Sequence, residues 1–121
     1  MSRISVRLGI AKRLAPRGPA AFGARRRASV LCVGLGNIGA PLAARIAAKH
    51  DVSVYNRTPA KAAAHAAEHG TAPLQLAELA PAAARADVIF LCLPNTDDTR
   101  AVLLGALAPS LAPGQIALDA T

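Results

Sequence analysis

The sequence contains few of the residues from which metal centres and disulfide frameworks are built. Its 121 residues include two cysteines and three histidines. Cys32 and Cys92 each lie inside an apolar run, and the cysteines and histidines show none of the spacings of a metal site. We therefore predict that the chain holds no metal, and that both cysteines stay reduced and pack as small hydrophobic residues.

Long hydrophobic runs are also absent, although 53% of the residues are hydrophobic. The N-terminal stretch has no apolar core of the length that a secretory signal or a membrane-spanning helix needs. We therefore expect no membrane span. The length of 121 residues allows one small domain at most.

Acidic residues are missing from residues 1–28, which contain eight lysines and arginines. Residues 29–121 contain six basic and seven acidic residues, which leaves them a net charge of −1. The net charge of +7 therefore comes from an N-terminal basic arm. The near-neutral remainder argues against a nucleic-acid-binding face on the folded part.

The arm, residues 1–28, is arginine-rich, and Ile4, Leu8 and Ala11 would share one face of a helix. This pattern is typical of a transit peptide for a mitochondrion or another organelle, but a disordered basic tail of a cytoplasmic protein, or a misplaced start codon, would look the same. A DNA-binding arm is disfavoured because few aromatic residues are interleaved with the charges. We expect the arm to be disordered and dispensable for folding, because it has too few large apolar residues to offset the entropy of ordering it.

Residues 29–56 organise the rest of the sequence. Predicted strands at residues 30–33 and 52–55 flank a glycine turn and a helical pattern at residues 38–49. This order of strand, turn, helix and strand is the context in which a glycine motif indicates a dinucleotide-binding sheet.

The turn carries Gly34, Gly36 and Gly39 in the spacing GxGxxG. The first glycine permits the tight exit from the strand, the second lets a pyrophosphate approach the backbone, and the third lets the helix pack close to the strand. A glycine turn in some other α/β protein would have the same spacing. The flanking strands favour a dinucleotide site, with the pyrophosphate at the N-terminus of the helix.

The remaining sequence alternates between helix and strand patterns. Helices are predicted at residues 60–70, 74–85 and 97–107, and strands at residues 71–73, 88–94 and 115–119. Thr58 and Pro59 are typical of a helix start, Pro81 is expected to break the second of these helices, and His65 and His69 are expected to lie on an exposed helix face. The alternation predicts an α/β fold, a doubly wound parallel sheet of the Rossmann type with the strand order 3-2-1-4-5.

Four segments carry a resemblance to a known family, namely GLGNIGAPLA, VSVYNRTPAKA, ADVIFLCLPNTDDTRAVLLG and LAPGQIALDAT. In this order they resemble the N-terminal domain of the 3-hydroxyisobutyrate dehydrogenase family, also called the β-hydroxyacid dehydrogenases, which includes glyoxylate and succinic semialdehyde reductases. The resemblance covers residues 29–121. The 6-phosphogluconate dehydrogenases share the NRT segment, but they usually have alanine at the position of Gly36 and lack the LPN…VLLG segment, so they rank second.

The resemblance implies roles for three groups of residues. The pyrophosphate is expected to contact Gly34, Gly36, Asn37, Ile38 and Gly39. The adenosine ribose is expected to contact Asn56, Arg57 and Thr58. The nicotinamide side is expected to involve Leu93, Pro94 and Asp98, with Thr121 near the nicotinamide ribose and the substrate. Asp98 departs from the neutral residue that is usual in the family.

The resemblance also implies that a catalytic lysine and an all-helical domain follow the Asp-x-Ser/Thr motif, which here is Asp119-Ala120-Thr121. None of the chain's three lysines is expected to replace that group, so we expect no catalytic residue within the 121 residues and no turnover of a hydroxyacid by them alone.

The alternative function is a non-catalytic dinucleotide-binding module, or a piece of a 6-phosphogluconate dehydrogenase-like protein. The last predicted strand, residues 115–119, is expected to leave a bare sheet edge that favours self-association.

The end of the second predicted strand indicates the choice of cofactor. Rossmann domains that are specific for NAD place an aspartate or glutamate there, to bind the ribose hydroxyls. This chain has Asn56, which would not repel a 2′-phosphate, followed by Arg57, whose planar fork suits phosphate oxygens. The sequence therefore predicts NADP(H) rather than NAD(H).

Overall fold

The computed structural model of the chain describes residues 2–5 and 27–121. The transit peptide and the disorder that we expect of the basic arm fall mostly on residues 6–26, which lie outside the described residues. The elements in chain order are β1 (Ser2–Ser5), β2 (Ser29–Val33), α1 (Gly39–Ala47), β3 (Asp51–Tyr55), α2 (Pro59–His69), β4 (Ala72–Pro73), α3 (Leu76–Arg85), β5 (Val88–Leu91), α4 (Thr96–Val102) and β6 (Ile116–Asp119).

One sheet arranges these strands in the order β1-β6-β5-β2-β3-β4. Strand β2 pairs in parallel with β3 on one side and with β5 on the other, and β4 and β6 extend the parallel sheet outwards. The predicted order 3-2-1-4-5 is therefore confirmed for the five strands of residues 29–121. The winding of the chain reverses between β2 and β5, which is where parallel sheets of this kind bind ligands.

Helices cover both faces of the sheet. Successive residues of a strand point to opposite faces, so Leu31 of β2 joins a core that α3 covers, and Cys32 joins a core that α1 and α2 cover. Ala83, Ala43 and Ala62 are fully buried where these three helices meet the sheet. Small side chains at these contacts let the helices lie close to the strands, which is one use of the high alanine content.

Helix α3 runs through Pro81, so the expected break at this proline is wrong. Proline removes one backbone hydrogen bond, here the bond to the carbonyl group of Ala77, and strains the turn before it. The helix persists because Leu79, Ala82 and Ala83 are buried on its inner face. The apolar surface that they remove from water offsets the missing bond.

The predicted helix at residues 97–107 also differs from the observed structure. It is α-helical in Thr96–Val102, then continues as a π-helix at Leu103–Leu107 and as a 3₁₀ turn at Ala108–Ser110. Pro109 has no N–H group to donate and disfavours the α conformation in the residue before it. Pro109 therefore ends the helical segment as a whole, and the regular α-helix already ends at Val102.

Strand β6 does not form a bare edge. Residues Ser2–Ser5 pair with it in the antiparallel sense, with Ser2 opposite Asp119 and Ser5 opposite Ile116. The expectation of an unpaired edge is therefore wrong, and these four residues form a strand although disorder is predicted for the arm as a whole. An edge strand presents unpaired N–H and C=O groups, and an extended segment of the same chain satisfies them here.

Arg27 and Ala28, the last two residues of the arm, contact the start of β3 and the residue before it. Nε of Arg27 donates to Oδ1 of Asp51 at 2.9 Å, and the N–H group of Ala28 donates to Nδ1 of His50 at 2.9 Å. No helix within residues 2–5 and 27–121 is long and apolar enough to span a membrane. These residues also contain no group of three or more histidine, cysteine, aspartate or glutamate side chains that could hold a metal ion.

One predicted surface feature of α2 is wrong. His69 is exposed, as expected, but His65 is only 6% exposed. The i, i+4 spacing places the two rings on neighbouring turns, with their centroids 4.6 Å apart. The helix is rotated so that His65 faces α1, which sequence periodicity in an alanine-rich helix does not reveal.

Candidate functional site

The turn after β2 contains two glycines that the fold itself requires. Gly34 has a φ angle of 100°, and a Cβ atom there would collide with the carbonyl oxygen of Cys92. A Cβ atom on Gly39 would collide with the carbonyl oxygen of Gly34. Gly36 has no positive φ, and its Cβ would meet no atom within 4 Å. Packing therefore does not explain Gly36, whereas the approach of a ligand to the backbone does.

The same turn presents backbone donors that the chain does not use. The N–H groups of Gly36, Asn37 and Ile38 make no hydrogen bond within residues 27–121. They lie directly before α1, a helix of nine residues that starts at Gly39. The free N–H groups and the positive end of the helix dipole together suit the oxygens of a phosphate group.

Asn56 ties this turn to the end of β3. Its Oδ1 accepts a hydrogen bond from the N–H group of Leu35 at 3.0 Å, and its Nδ2 donates to the carbonyl oxygen of Thr58 at 3.2 Å. The N–H group of Gly34 also donates to the carbonyl oxygen of Tyr55 at 2.8 Å. An aspartate at this position would accept the first bond but could not donate the second, so the amide has a structural role of its own.

Two basic side chains lie at the β3 side of the site. Arg57 is in the turn before α2, Lys61 is in the first turn of α2, and both line the same cleft as the glycine turn. The Arg57 side chain is 82% exposed, and its Nη1 lies 3.9 Å from Oδ1 of Asp98 on α4. An ion pair this long and this exposed is weak, so the guanidinium group is available to another anion.

Threonine hydroxyl groups close the opposite end of the site, beside β5 and β6. Oγ1 of Thr121 accepts a hydrogen bond from the N–H group of Leu93 at 3.2 Å and lies 2.7 Å from Oγ1 of Thr99. Thr99 donates its proton to the carbonyl oxygen of Asn95, so Thr121 is the donor between the two hydroxyl groups. These bonds fix Thr121 against the loop that follows β5.

Together these elements enclose a cleft of about 720 Å³ at the carboxyl ends of β2, β3 and β5. Eleven of the twelve predicted cofactor contacts line it, and the twelfth, Gly39, packs beneath the turn against Gly34 and Cys92. The eleven are Gly34, Gly36, Asn37, Ile38, Asn56, Arg57, Thr58, Leu93, Pro94, Asp98 and Thr121. The volume, the free N–H groups and the basic side chains fit a dinucleotide.

Seven further residues line the cleft without being among the predicted contacts, namely Leu35, Tyr55, Lys61, Cys92, Ala101, Val102 and Ala120. Four of them adjoin a predicted residue in the chain, so adjacency alone could have indicated them. Lys61 lies one helical turn beyond Arg57, and Ala101 and Val102 lie one turn beyond Asp98. Helical periodicity applied to the predicted residues would have found these three.

The two cysteines are neutral thiols in this structure. Burial raises the pKa of Cys32 from 9.0 to about 12, and the proximity of Cys92 adds to the shift. Burial also raises the pKa of Cys92, as does the charge of Asp119, while a hydrogen bond from the backbone of Gly39 opposes both. Neutral thiols are poor nucleophiles, so we assign no thiol chemistry to the cleft.

Known proteins are similar to this chain in sequence and in fold. Residues 29–121 match the family described as the NAD binding domain of 6-phosphogluconate dehydrogenase. The chain belongs to this family. An uncharacterized oxidoreductase of Shewanella frigidimarina (strain NCIMB 400) is 37% identical over 97 residues, which are 78% of this chain and 33% of that protein. The chain is therefore a nicotinamide dinucleotide-binding domain of an oxidoreductase family.

Solved structures of this NAD-binding family's relatives agree with the assignment. Mycobacterium tuberculosis 3-hydroxyisobutyrate dehydrogenase, solved with L-serine, is 34% identical with a TM-score of 0.66, over 78% of this chain and 31% of that one. An imine reductase from Pseudomonas sp. is 25% identical with a TM-score of 0.67, over 78% and 32% of the two chains. The resemblance to 3-hydroxyisobutyrate dehydrogenase is confirmed, and the chain spans about a third of the length of these relatives.

Proposed function

We propose that the chain is the NADP(H)-binding domain of a β-hydroxyacid dehydrogenase or reductase. The observation that carries the proposal is the composition of the cleft. Free N–H groups at the start of α1 face the space between the glycine turn and the end of β3, where Arg57 and Lys61 supply positive charge and no carboxylate occupies the position of Asn56. The N–H groups suit a pyrophosphate, and the Arg57 and Lys61 side chains suit a 2′-phosphate.

Ten of the twelve predicted contacts have a task at the cofactor in this proposal, and the other two, Gly34 and Gly39, shape the turn. Gly36, Asn37 and Ile38 bind the pyrophosphate through the backbone, while Asn56 and Thr58 border the adenosine ribose. Arg57 and Lys61 bind the 2′-phosphate, the first as a planar fork and the second as a point charge. Leu93, Pro94 and Thr121 form the nicotinamide side, whereas Asp98, which was also expected there, lies 3.9 Å from Arg57 and therefore faces the 2′-phosphate in this proposal.

The proposed reaction moves a hydride between the nicotinamide and a small hydroxyacid or aldehyde acid. When bound, the nicotinamide supplies or accepts the hydride. The part of this chain is to hold and orient it, with Leu93, Pro94 and Val102 as an apolar wall that excludes water. The similarity to 3-hydroxyisobutyrate dehydrogenase supports this substrate class.

Paired titrations test the choice of cofactor. Isothermal titration of the chain with NADPH and with NADH should give tighter binding of NADPH. Arg57→Ala should weaken NADPH binding about tenfold, since a hydrogen bond to a charged group is worth about 1.5–3 kcal/mol, and should change NADH binding little. Arg85→Ala removes an exposed arginine outside the cleft and is the matched control.

A substitution of Asp98 adds a second variant to the same titrations. Its carboxylate lies near Arg57 and would face the added phosphate, so Asp98→Asn should tighten NADPH binding and leave NADH binding nearly unchanged. Equal affinities for the two cofactors in the unaltered chain, or a loss in Arg57→Ala that is the same for both, would overturn the NADP(H) assignment. The family assignment does not depend on this result.

We also expect the 121 residues alone to turn over no substrate. One lysine, Lys61, lines the cleft, and it lies on the β3 side with Arg57 rather than beside Leu93 and Thr121, where the nicotinamide is placed. A general acid–base group typically contributes about 10²–10⁴-fold to the rate. NADPH oxidation in the presence of glyoxylate or succinic semialdehyde should stay at the background rate, and measurable turnover would contradict this placement of the active site.

A further inference from the structure

His65 is a buried histidine on α2 whose two ring nitrogens both have partners. Its Nε2 lies 2.8 Å from the carbonyl oxygen of Ala40, and its Nδ1 lies 2.9 Å from Oγ1 of Thr71. A carbonyl oxygen only accepts, so Nε2 carries the proton and donates to Ala40. In the neutral ring Nδ1 then accepts from the hydroxyl group of Thr71, which fixes the tautomer.

The carbonyl group of Ala40, which accepts this bond, lies next to the glycine loop. Ala40 is the second residue of α1 and follows Gly39, so its carbonyl group belongs to the helical turn that begins where the glycine loop ends. The loop itself has few supports, because the N–H groups of residues 36–38 are unpaired within residues 27–121 and the three side-chain positions are exposed. Its geometry therefore depends on how its two ends are held.

Both ends are held by side chains from the segment that follows β3. Asn56 binds the N–H group of Leu35 at the start of the loop, and His65 binds the carbonyl group of Ala40 at its end. The first contact is part of a recognised motif, whereas the second comes from a residue whose sequence context indicates only an exposed helix. The two anchors fix the loop to the element that also carries Arg57 and Lys61.

We infer that His65 is a positioning residue for the dinucleotide, which acts by holding the first turn of α1 so that the loop donors point into the cleft. This role rests on the proposed cofactor site. A preformed set of donors binds an anion without the cost of ordering the loop. Losing the anchor therefore lowers cofactor affinity as well as stability.

Two conservative variants separate this role from simple packing. In His65→Gln the side-chain amide nitrogen can reach the position of Nε2 and keep the bond to Ala40. In His65→Asn the amide reaches only the position of Nδ1, so the bond to Thr71 can survive while the bond to Ala40 is lost. Each variant loses one hydrogen bond, so their midpoints of urea unfolding without cofactor should fall by similar amounts.

Cofactor titration then distinguishes the two variants. NADPH affinity should fall about fivefold in His65→Asn, the equivalent of one hydrogen bond, and by less than about twofold in His65→Gln. His69→Gln is the control, because His69 packs against the His65 ring but makes no hydrogen bond to α1. Equal affinities in the two His65 variants would overturn the inference and leave His65 as a core residue.

A readout without cofactor keeps this result distinct from a failure of the proposed function. Hydrogen–deuterium exchange at the amide groups of Ala40 and Leu42, which donate to the carbonyl oxygens of Gly36 and Ile38, should be faster in His65→Asn than in His65→Gln. If the unaltered chain binds neither NADPH nor NADH while this difference persists, the cofactor proposal fails and the anchoring role stands. If exchange is the same in both variants, the anchoring role is wrong.

Discussion

The three glycines of the turn between β2 and α1 are required for different physical reasons. Gly34 and Gly39 have no room for a side chain because backbone oxygens lie where a Cβ would be. Gly36 has room, and its need for glycine arises only if a ligand fills the space in front of it. The sequence spacing predicted three separate tasks for the glycines, and the structure supports the packing tasks of two of them.

Substitutions should separate packing from binding in this turn. Gly36→Val should keep the melting temperature of the chain and lose most of its dinucleotide affinity, because the side chain enters the open cleft. Gly39→Ala should lose about 2 kcal/mol or more of stability, since the new Cβ forces Gly34 to move. Calorimetry and NADPH titration of both variants measure the two effects, and a Gly36→Val variant that binds normally would exclude this turn as the pyrophosphate site.

Cys32 makes stability depend on pH in the alkaline range. Its pKa rises from 9.0 to about 12 on folding, so the unfolded thiol loses its proton first as the pH increases. The contribution of the neutral thiol is complete below pH 9.0 and is lost progressively towards about pH 12. Urea unfolding at about pH 8 and about pH 10 should show a steeper loss in the unaltered chain than in Cys32→Ala. Parallel losses would contradict the burial of this thiol.

At the scale of elements, the sequence predicted the glycine-bounded segments well. Strands β2 and β3 and helix α2 begin and end within two residues of their predicted limits, because Gly34, Pro59 and Gly70 mark strong local boundaries. Helix α3 differs because tertiary burial outweighs the local effect of Pro81. Strand β1 could not be predicted, since its pairing depends on a free edge of β6 that only the assembled sheet creates.

The Gln115 side chain links two elements through hydrogen bonds that the sequence did not indicate. Its Nε2 donates to the carbonyl oxygens of Ala83 and Ala86 at 2.6 and 2.7 Å, and its Oε1 accepts from the N–H group of Ala112 at 2.5 Å. The side chain is 2% exposed. It therefore satisfies the carbonyl groups at the end of α3 and joins that helix to the start of β6.

Gln115→Leu should cost about 2 kcal/mol of unfolding free energy, because it leaves the buried carbonyl group of Ala86 without its partner and removes the bonds to Ala83 and Ala112. Lys49→Leu, at an exposed position after α1, is the control and should change the free energy by about 0.5 kcal/mol or less. Urea denaturation measures both. A loss for Gln115→Leu no larger than that of the control would show that water reaches these groups.

At the scale of the whole molecule, the candidate site could be predicted because it is assembled from strand ends. The parallel order of β2, β3 and β5 brings three loops to one edge, so residues far apart in the chain meet there. The anchoring by His65 and Gln115 could not be predicted, because it depends on how helices rotate against the sheet. In helices rich in alanine the sequence leaves that rotation poorly defined.

The basic arm contains β1, which covers the edge of β6, so we expect the arm to limit self-association of the chain. Removing residues 1–26 uncovers the edge of β6, so the shortened chain should self-associate more than the full chain at the same concentration. A chain in which residues 6–26 are replaced by a neutral linker of equal length keeps β1 and is the control for charge. Light scattering after size-exclusion chromatography measures the mass. A monomeric shortened chain would show that β1 does not protect the edge.

The central claim is that the cleft binds a nicotinamide dinucleotide, and the chain contains its own reporter for it. It has no tryptophan and one tyrosine, Tyr55, which lines the cleft. Titration of the purified chain with NADPH, followed by tyrosine emission, should show saturable quenching that calorimetry reproduces. Tyr55→Phe should abolish the optical signal and keep the calorimetric one, and Gly36→Val should abolish both. Quenching that does not saturate, with no heat of binding for NADPH or NADH, would contradict the account.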